Sequence, residues 1–105
     1  MPPPLAYQSG HFLPAAEATL SIADAGLVSG ATVTDFCRTF RRQLFRWPDH
    51  LARFRRDCVT CFIPLTESDE KLTAVAERLV EHNAPLLPAA ESNTPRWFAT
   101  SSAMA

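Results

Sequence analysis

The sequence predicts an α+β domain: a small antiparallel sheet of roughly four to six short strands with two helices packed on it. Three observations predict it. Residues 32–40 are rich in β-branched and aromatic side chains, and a second short apolar run follows at 43–46, the composition of paired strands. Residues 48–61 place Leu51, Phe54, Cys58 and Cys61 on one helical stripe. Residues 67–82 place Leu72, Val75, Ala76, Leu79 and Val80 on another.

In chain order, residues 1–4 are Pro-rich and read as a disordered or extended start. Residues 5–7 and 11–13 flank Ser9-Gly10, a turn between short strands, and residues 20–22 offer a third strand. Residues 24–30 hold two glycines and an aspartate and read as a loop, with Asp24 bonding its own backbone. Arg41-Arg42 joins the next two strands. Tight two-residue turns favour Gly or Asn at their positive-φ positions, so an Arg pair implies a longer or strained loop. Pro48 opens the first helix, where its missing N–H costs nothing. Pro64 breaks the connector that follows. Thr66 and Asp69 form a capping box for the second helix, which stops at Asn83 with Pro85 just beyond. Residues 86–95 read as a linker, and residues 97–100 as a last strand. The expected division is therefore a start at 1–4, one domain at 5–88, and linker, strand and tail at 89–105.

At 105 residues the chain has room for one core. Its formal net charge of −1 favours neither nucleic acid nor membrane. The charge is unevenly placed: Arg38, Arg41, Arg42, Arg46, Arg53, Arg55 and Arg56 crowd one stretch, with Phe40, Phe45, Trp47 and Phe54 interleaved. That composition suits a nucleic-acid surface, but a pI near 6.3 argues against one, and no nucleic-acid partner is expected. No apolar run approaches the ~20 residues of a membrane span, and the Met-Pro-Pro-Pro start lacks the regions of a signal peptide. Three cysteines make no disulfide framework, so the expected location is cytoplasmic. Cys58 and Cys61 form a C-x-x-C on the apolar stripe at a helix C-terminal end, which reads as two buried small hydrophobes. No metal site is expected, because no further ligand pair stands at zinc spacing.

His50 and Arg53 lie three apart, one above the other at the edge of the first helix's stripe. An arginine held there can present its fork to a phosphate, or can pair with Asp57 at the surface. Asp24 and Asp35 are candidates for an acid/base pair, although nothing in the sequence fixes their separation. The string Ile22-Ala-Asp-Ala-Gly-Leu-Val-Ser-Gly-Ala-Thr-Val-Thr-Asp, then Arg38-Thr-Phe, Leu44-Phe-Arg and His50-Leu-Ala-Arg-Phe resembles the start of class IV pyridoxal-phosphate enzymes. That fold-type IV group includes branched-chain aminotransferases, D-amino-acid aminotransferases and aminodeoxychorismate lyases. The family pattern runs roughly D-x-G-x-x-x-G-x-x-V-x-E, a hairpin ending in L-F, then H-x-x-R-L, and the resemblance covers residues 5–88.

The resemblance implies the N-terminal small domain of such an enzyme, with Arg53 gripping the phosphate of pyridoxal phosphate. It places Ser29, Thr34, Asp35 and Arg38 at the substrate pocket. Asp35 stands where the family has a glutamate, Thr34 where it usually has an aromatic, and Ser29 where many members have a tyrosine. Arg38 matches an arginine of the branched-chain members and either faces a substrate carboxylate or makes a cross-strand ion pair. The implied substrates of a complete enzyme are an amino acid and a 2-oxo acid, and the implied assembly is a homodimer. The family's cofactor-holding lysine lies in a second domain downstream. The one lysine here, Lys71, sits early in an amphipathic helix among acids, so no catalytic residue is assigned. The chain is expected to be a piece of a longer enzyme or a remnant of its small domain. The rivals are a non-catalytic oligomerisation or binding module derived from that domain, and a fragment of the lyase type.

Overall fold

The structure, a computed structural model, describes residues 2–86 and the backbone of residues 97–102. It is α+β, as the sequence predicts. Among the described residues the strands form three two-stranded antiparallel pairs rather than one sheet. β1 (Leu5–Gln8) pairs with β2 (His11–Pro14) through a tight turn at Ser9 and Gly10, both at positive φ. β3 (Thr32–Cys37) pairs along its whole length with β6 (Trp97–Ser102), from Thr32 opposite Ser102 to Cys37 opposite Trp97. β4 (Thr39–Phe40) and β5 (Gln43–Leu44) close a second tight hairpin. Arg41 and Arg42 fill its two turn positions at φ 51° and 62°, so the strained alternative is the one realised. The expected single strand over 32–40 is broken at Arg38, whose carbonyl accepts the Phe45 N–H at 2.6 Å.

Two expectations are corrected between Leu20 and Gly30. Residues 20–22 form no strand, and the expected loop contains a short helix, α1 (Ala25–Ser29). Asp24 is its N-cap, its carboxylate accepting the Leu27 N–H at 3.0 Å. Gly30 ends it in the left-handed region at φ 70°, where a side chain would be strained. The pair of glycines taken as loop formers is a helix stop at Gly30 and, at Gly26, a buried position inside the helix.

α2 (Trp47–Thr60) starts from Arg46 in the left-handed region and buries Trp47, Leu51, Phe54 and Cys58. Cys61 lies past the helix end and is exposed, because the chain turns away at Phe62, itself at φ 57°. Trp47 takes the fourth place on the stripe, and the reading of Cys61 as a core residue is withdrawn. α3 (Asp69–Asn83) is capped by Ser68, whose hydroxyl accepts the Lys71 N–H, rather than by the expected Thr66. Val33, Phe54, Cys58 and Ile63 form one apolar cluster. Cys37, Trp47, Leu51 and Ala76 form a second, in which α2 is sandwiched between β3 and α3. The Trp47 indole N–H donates to the Thr73 hydroxyl at 2.8 Å and fixes that sandwich.

Asn83 does not stop the helix by adopting a left-handed conformation; it is the last helical residue, and the next turn is 3₁₀, at Ala84–Leu86. Its side chain instead accepts the Leu5 N–H at 2.8 Å and donates to the Leu5 carbonyl at 2.9 Å. Arg78 on the same helix lies 4.4 Å from the Phe12 ring centre, and Phe12 meets Tyr7 edge-on at 5.0 Å. These contacts pin the first hairpin to α3. An isosteric Asn83→Leu substitution leaves the part-buried Leu5 amide unpaired on both sides and is expected to cost about 1–3 kcal/mol. Thermal unfolding followed by circular dichroism checks this; an unchanged midpoint would show that the clamp contributes nothing.

Candidate functional site

The site begins with the two-residue period of β3. Val33, Asp35 and Cys37 are buried while Thr32, Thr34 and Phe36 face the other way. Asp35 is thus a carboxylate in the core-facing row, only 5% exposed, between two apolar neighbours. Such a charge is stable only when paired and hydrogen-bonded. The partners come from α2. Leu51 and Phe54 point into the core, so His50 and Arg53, each one position earlier, flank it on the side of β3.

Arg53 grips Asp35 with one whole edge of its guanidinium: Nε donates to Oδ2 at 2.9 Å and Nη2 to Oδ1 at 2.8 Å. The Nδ1 of His50 lies 2.9 Å from the same Oδ1. A lone pair aimed at a carboxylate oxygen would be repelled, so Nδ1 carries the proton and donates. The 3.1 Å approach of Arg53 Nη2 to Nδ1 is then a juxtaposition of two donors on one acceptor. The Arg53 hydrogen bonds hold the Asp35 carboxyl below the usual carboxylate range, against burial, which pushes it up; His50 adds to the lowering. The same hydrogen bonds push Arg53 further up.

Arg53 is not consumed by this pairing. Its side chain is 51% exposed, and Nη1 has no partner among the described residues. The alternative surface partner, Asp57, makes no ion pair with Arg53 among the described residues, and the carboxylate in contact is Asp35. The partner was missed because it lies 18 residues away. A usable signal was present, since Asp35 occupies an apolar phase of an alternating strand.

The remaining sequence candidates are dispersed. Thr34 lies on the opposite, exposed face of β3 from Asp35. Ser29 ends α1, where its hydroxyl donates to the Ala25 carbonyl at 2.5 Å. Arg38 is exposed at the break between β3 and β4 and makes no ion pair among the described residues. Asp24 caps α1 and Asp35 is held by Arg53, so the two are engaged by separate partners. Cys58 is a buried thiol pushed up chiefly by burial. Among the described residues no group of three or more His, Cys, Asp or Glu side chains could hold a metal ion, and no helix is long and apolar enough to cross a membrane.

No family model matches the chain. Over 77 residues it is 30% identical to D-alanine aminotransferase of Staphylococcus aureus strain N315, and equally to the proteins of that name in strains COL and MSSA476. The match takes in 73% of this chain and 27% of each relative, so the chain spans about a quarter of the length of the curated relatives it matches.

The depressed carboxyl of Asp35 sets a pH dependence. Its stabilising contribution is complete above the unfolded carboxylate value of about 3.9 and is lost as pH falls through the lower folded value. Asp35→Asn should therefore lower the urea midpoint clearly at pH 7 and by less at pH 3, where the unfolded carboxyl already takes up its proton and part of the advantage of the ionised form is gone. An equal loss at both pH values would mean that the charge on Asp35 does not matter to stability.

Proposed function

We propose that this chain is the cofactor-facing small domain of a pyridoxal-phosphate enzyme of the class IV aminotransferase group, and that Arg53 binds the cofactor's phosphate. The observation that carries the reading is the half-exposed guanidinium of Arg53, aimed by a buried carboxylate and flanked by an imidazole. The similarity to D-alanine aminotransferase supports it, because D-amino-acid aminotransferases belong to the group that the sequence motifs resemble. Those motifs include His50 and Arg53 themselves.

The donor set fits one part of the cofactor. A planar fork with an open Nη1 edge suits a phosphate monoester, which carries about −1.5 to −2 charges at neutral pH. Pyridoxal phosphate supplies an aldehyde and an electron-withdrawing ring, and the ring chemistry is the cofactor's own. A lysine is needed to hold that aldehyde, and Lys71 is exposed on α3. The share of this chain in the reaction is to bind and orient the phosphate end and to form one wall of the substrate pocket. Residues 29–38 supply that wall, with Thr34 on the face of β3 opposite Asp35. An amino donor and a 2-oxo acid are the substrate class, and a D-amino acid is the first to be tried. Titration of the chain with pyridoxal phosphate, followed by amide chemical shifts, tests the phosphate contact. Arg53→Ala should weaken binding at least tenfold, and Arg53→Lys should restore only part, since a point charge cannot copy the fork. Equal affinity in all three proteins would make Arg53 structural.

The same reading includes self-association. Phe36, Phe40 and Phe45 are all more than half exposed along β3, β4 and the start of the segment leading to α2. A row of aromatics of this size is more apolar surface than a monomer commonly leaves in water. A two-fold dimer, with the same patch on both partners, is the simplest cover. Light scattering over a dilution series checks it, and a mass of 11.6 kDa at tens of micromolar would exclude the dimer.

A further inference from the structure

We infer that His50 is the second ligand of the anion bound at Arg53, and that binding there is coupled to uptake of one proton on its Nε2. The inference rests on the reading of Arg53 as an anion-binding residue and adds to it a partner and a condition.

The argument starts from the charge of the cluster. Asp35 carries −1 and Arg53 +1, and with a neutral imidazole the three side chains sum to zero. A phosphate arriving at the Nη1 edge would leave the cluster net negative beside a carboxylate that is only 5% exposed. Such a site holds anions poorly, because each negative charge lowers the value of the single cation. One group can correct the balance. The His50 Nδ1–H donates to Asp35, so in the neutral ring Nε2 is a bare acceptor with its lone pair outward. An anion repels that lone pair. Protonated at Nε2, the ring becomes a donor on the side away from Asp35, and the cluster reaches +1.

Position supports the pairing. His50 Nδ1 and Arg53 Nη2 meet on a single oxygen of Asp35 and stand 3.1 Å apart, so the ring and the guanidinium lie side by side. The imidazole side chain keeps 21% of its surface in solvent, and Nε2 has no partner among the described residues. Arg56, three residues on from Arg53, is exposed and is not among the groups acting on Asp35. Arg46 and Asp49, one turn earlier on α2, are paired with each other at 2.8 Å. Asp57, one turn later, adds negative charge near Arg53. Cys37, the next inward residue of β3, remains a neutral thiol because burial pushes it up.

Sulfate separates this inference from the reading it rests on, because it stays doubly charged around neutral pH whereas phosphate titrates. The 105-residue chain is titrated with sulfate from pH 5.5 to 8.0 by nitrogen-resolved magnetic resonance, with the ring nitrogens of His50 observed directly. The expected result is a fall in affinity of at least fivefold over the range, with sulfate driving Nε2 from acceptor to protonated donor. His50→Asn, whose amide can still donate to Asp35, should bind sulfate weakly and without pH dependence. Sulfate affinity that is lost in Arg53→Ala but flat in pH would overturn the proton coupling while leaving the role of Arg53 intact. A pH slope that survives in His50→Asn would overturn it too, by placing the proton elsewhere. Should sulfate bind equally well with and without the Arg53 guanidinium, the reading of Arg53 itself fails. Should a variant lose its amide dispersion, the ring-nitrogen shifts of the unmodified chain decide alone.

Discussion

A carboxylate placed in the apolar row of a strand constrains everything around it. Asp35 cannot turn outward without also exposing Val33 and Cys37, because the three share one face of β3. It cannot remain inside without partners. α2 must therefore present His50 and Arg53 at the height of Asp35, and this fixes both the rotation of the helix and its position along the strand. The rest follows from that placement. With His50 and Arg53 turned to β3, Leu51 and Phe54 enter the core, and Trp47 is brought against α3. A hydrophobic stripe alone tolerates a helix that slides by a turn, whereas a bidentate ion pair does not.

The backbone near this site carries strain at several points. Arg41, Arg42 and Arg46 all adopt left-handed conformations within one short segment. Each costs roughly 1–2 kcal/mol relative to an ordinary backbone. Turn chemistry would favour Asn-Gly at the first two positions. The tight β4–β5 hairpin and the abrupt start of α2 are what the strain secures: they return the chain so that the first two turns of α2 begin beside the end of β3. The Phe45 carbonyl, on the same segment, lies 3.4 Å from the Cys37 sulfur and accepts its weak S–H bond.

Much of this was legible in the sequence, for physical reasons that can be named. The two long helices were visible because their stripes repeat over several turns, and their ends shifted by only a residue or two. The adjacency of His50 and Arg53 was visible because helix geometry alone dictates it. Ser68 displaced Thr66 as the cap because either hydroxyl satisfies the local rule, and the choice depends on where Leu72 and Val75 must face. α1 was hidden because five residues are too few to show a period, while its cap Asp24 and its stop Gly30 also spell a loop. The pairing of Asp35 with α2 was hidden because it is a long-range contact, and no local preference encodes its distance. The division of the strands into separate pairs was hidden for the same reason.

The double hydrogen bond from Asn83 to Leu5 joins positions 78 residues apart. Contacts of that separation form late, since chain entropy opposes them until the intervening segment has already condensed. The surface on which the first hairpin settles is α3, which the Trp47–Thr73 hydrogen bond ties to α2. The hairpin is thus a unit that can open while the Asp35 cluster stays closed. Slow amide exchange would accordingly run deepest along β3 and α2, and shallowest in the strands that begin the chain.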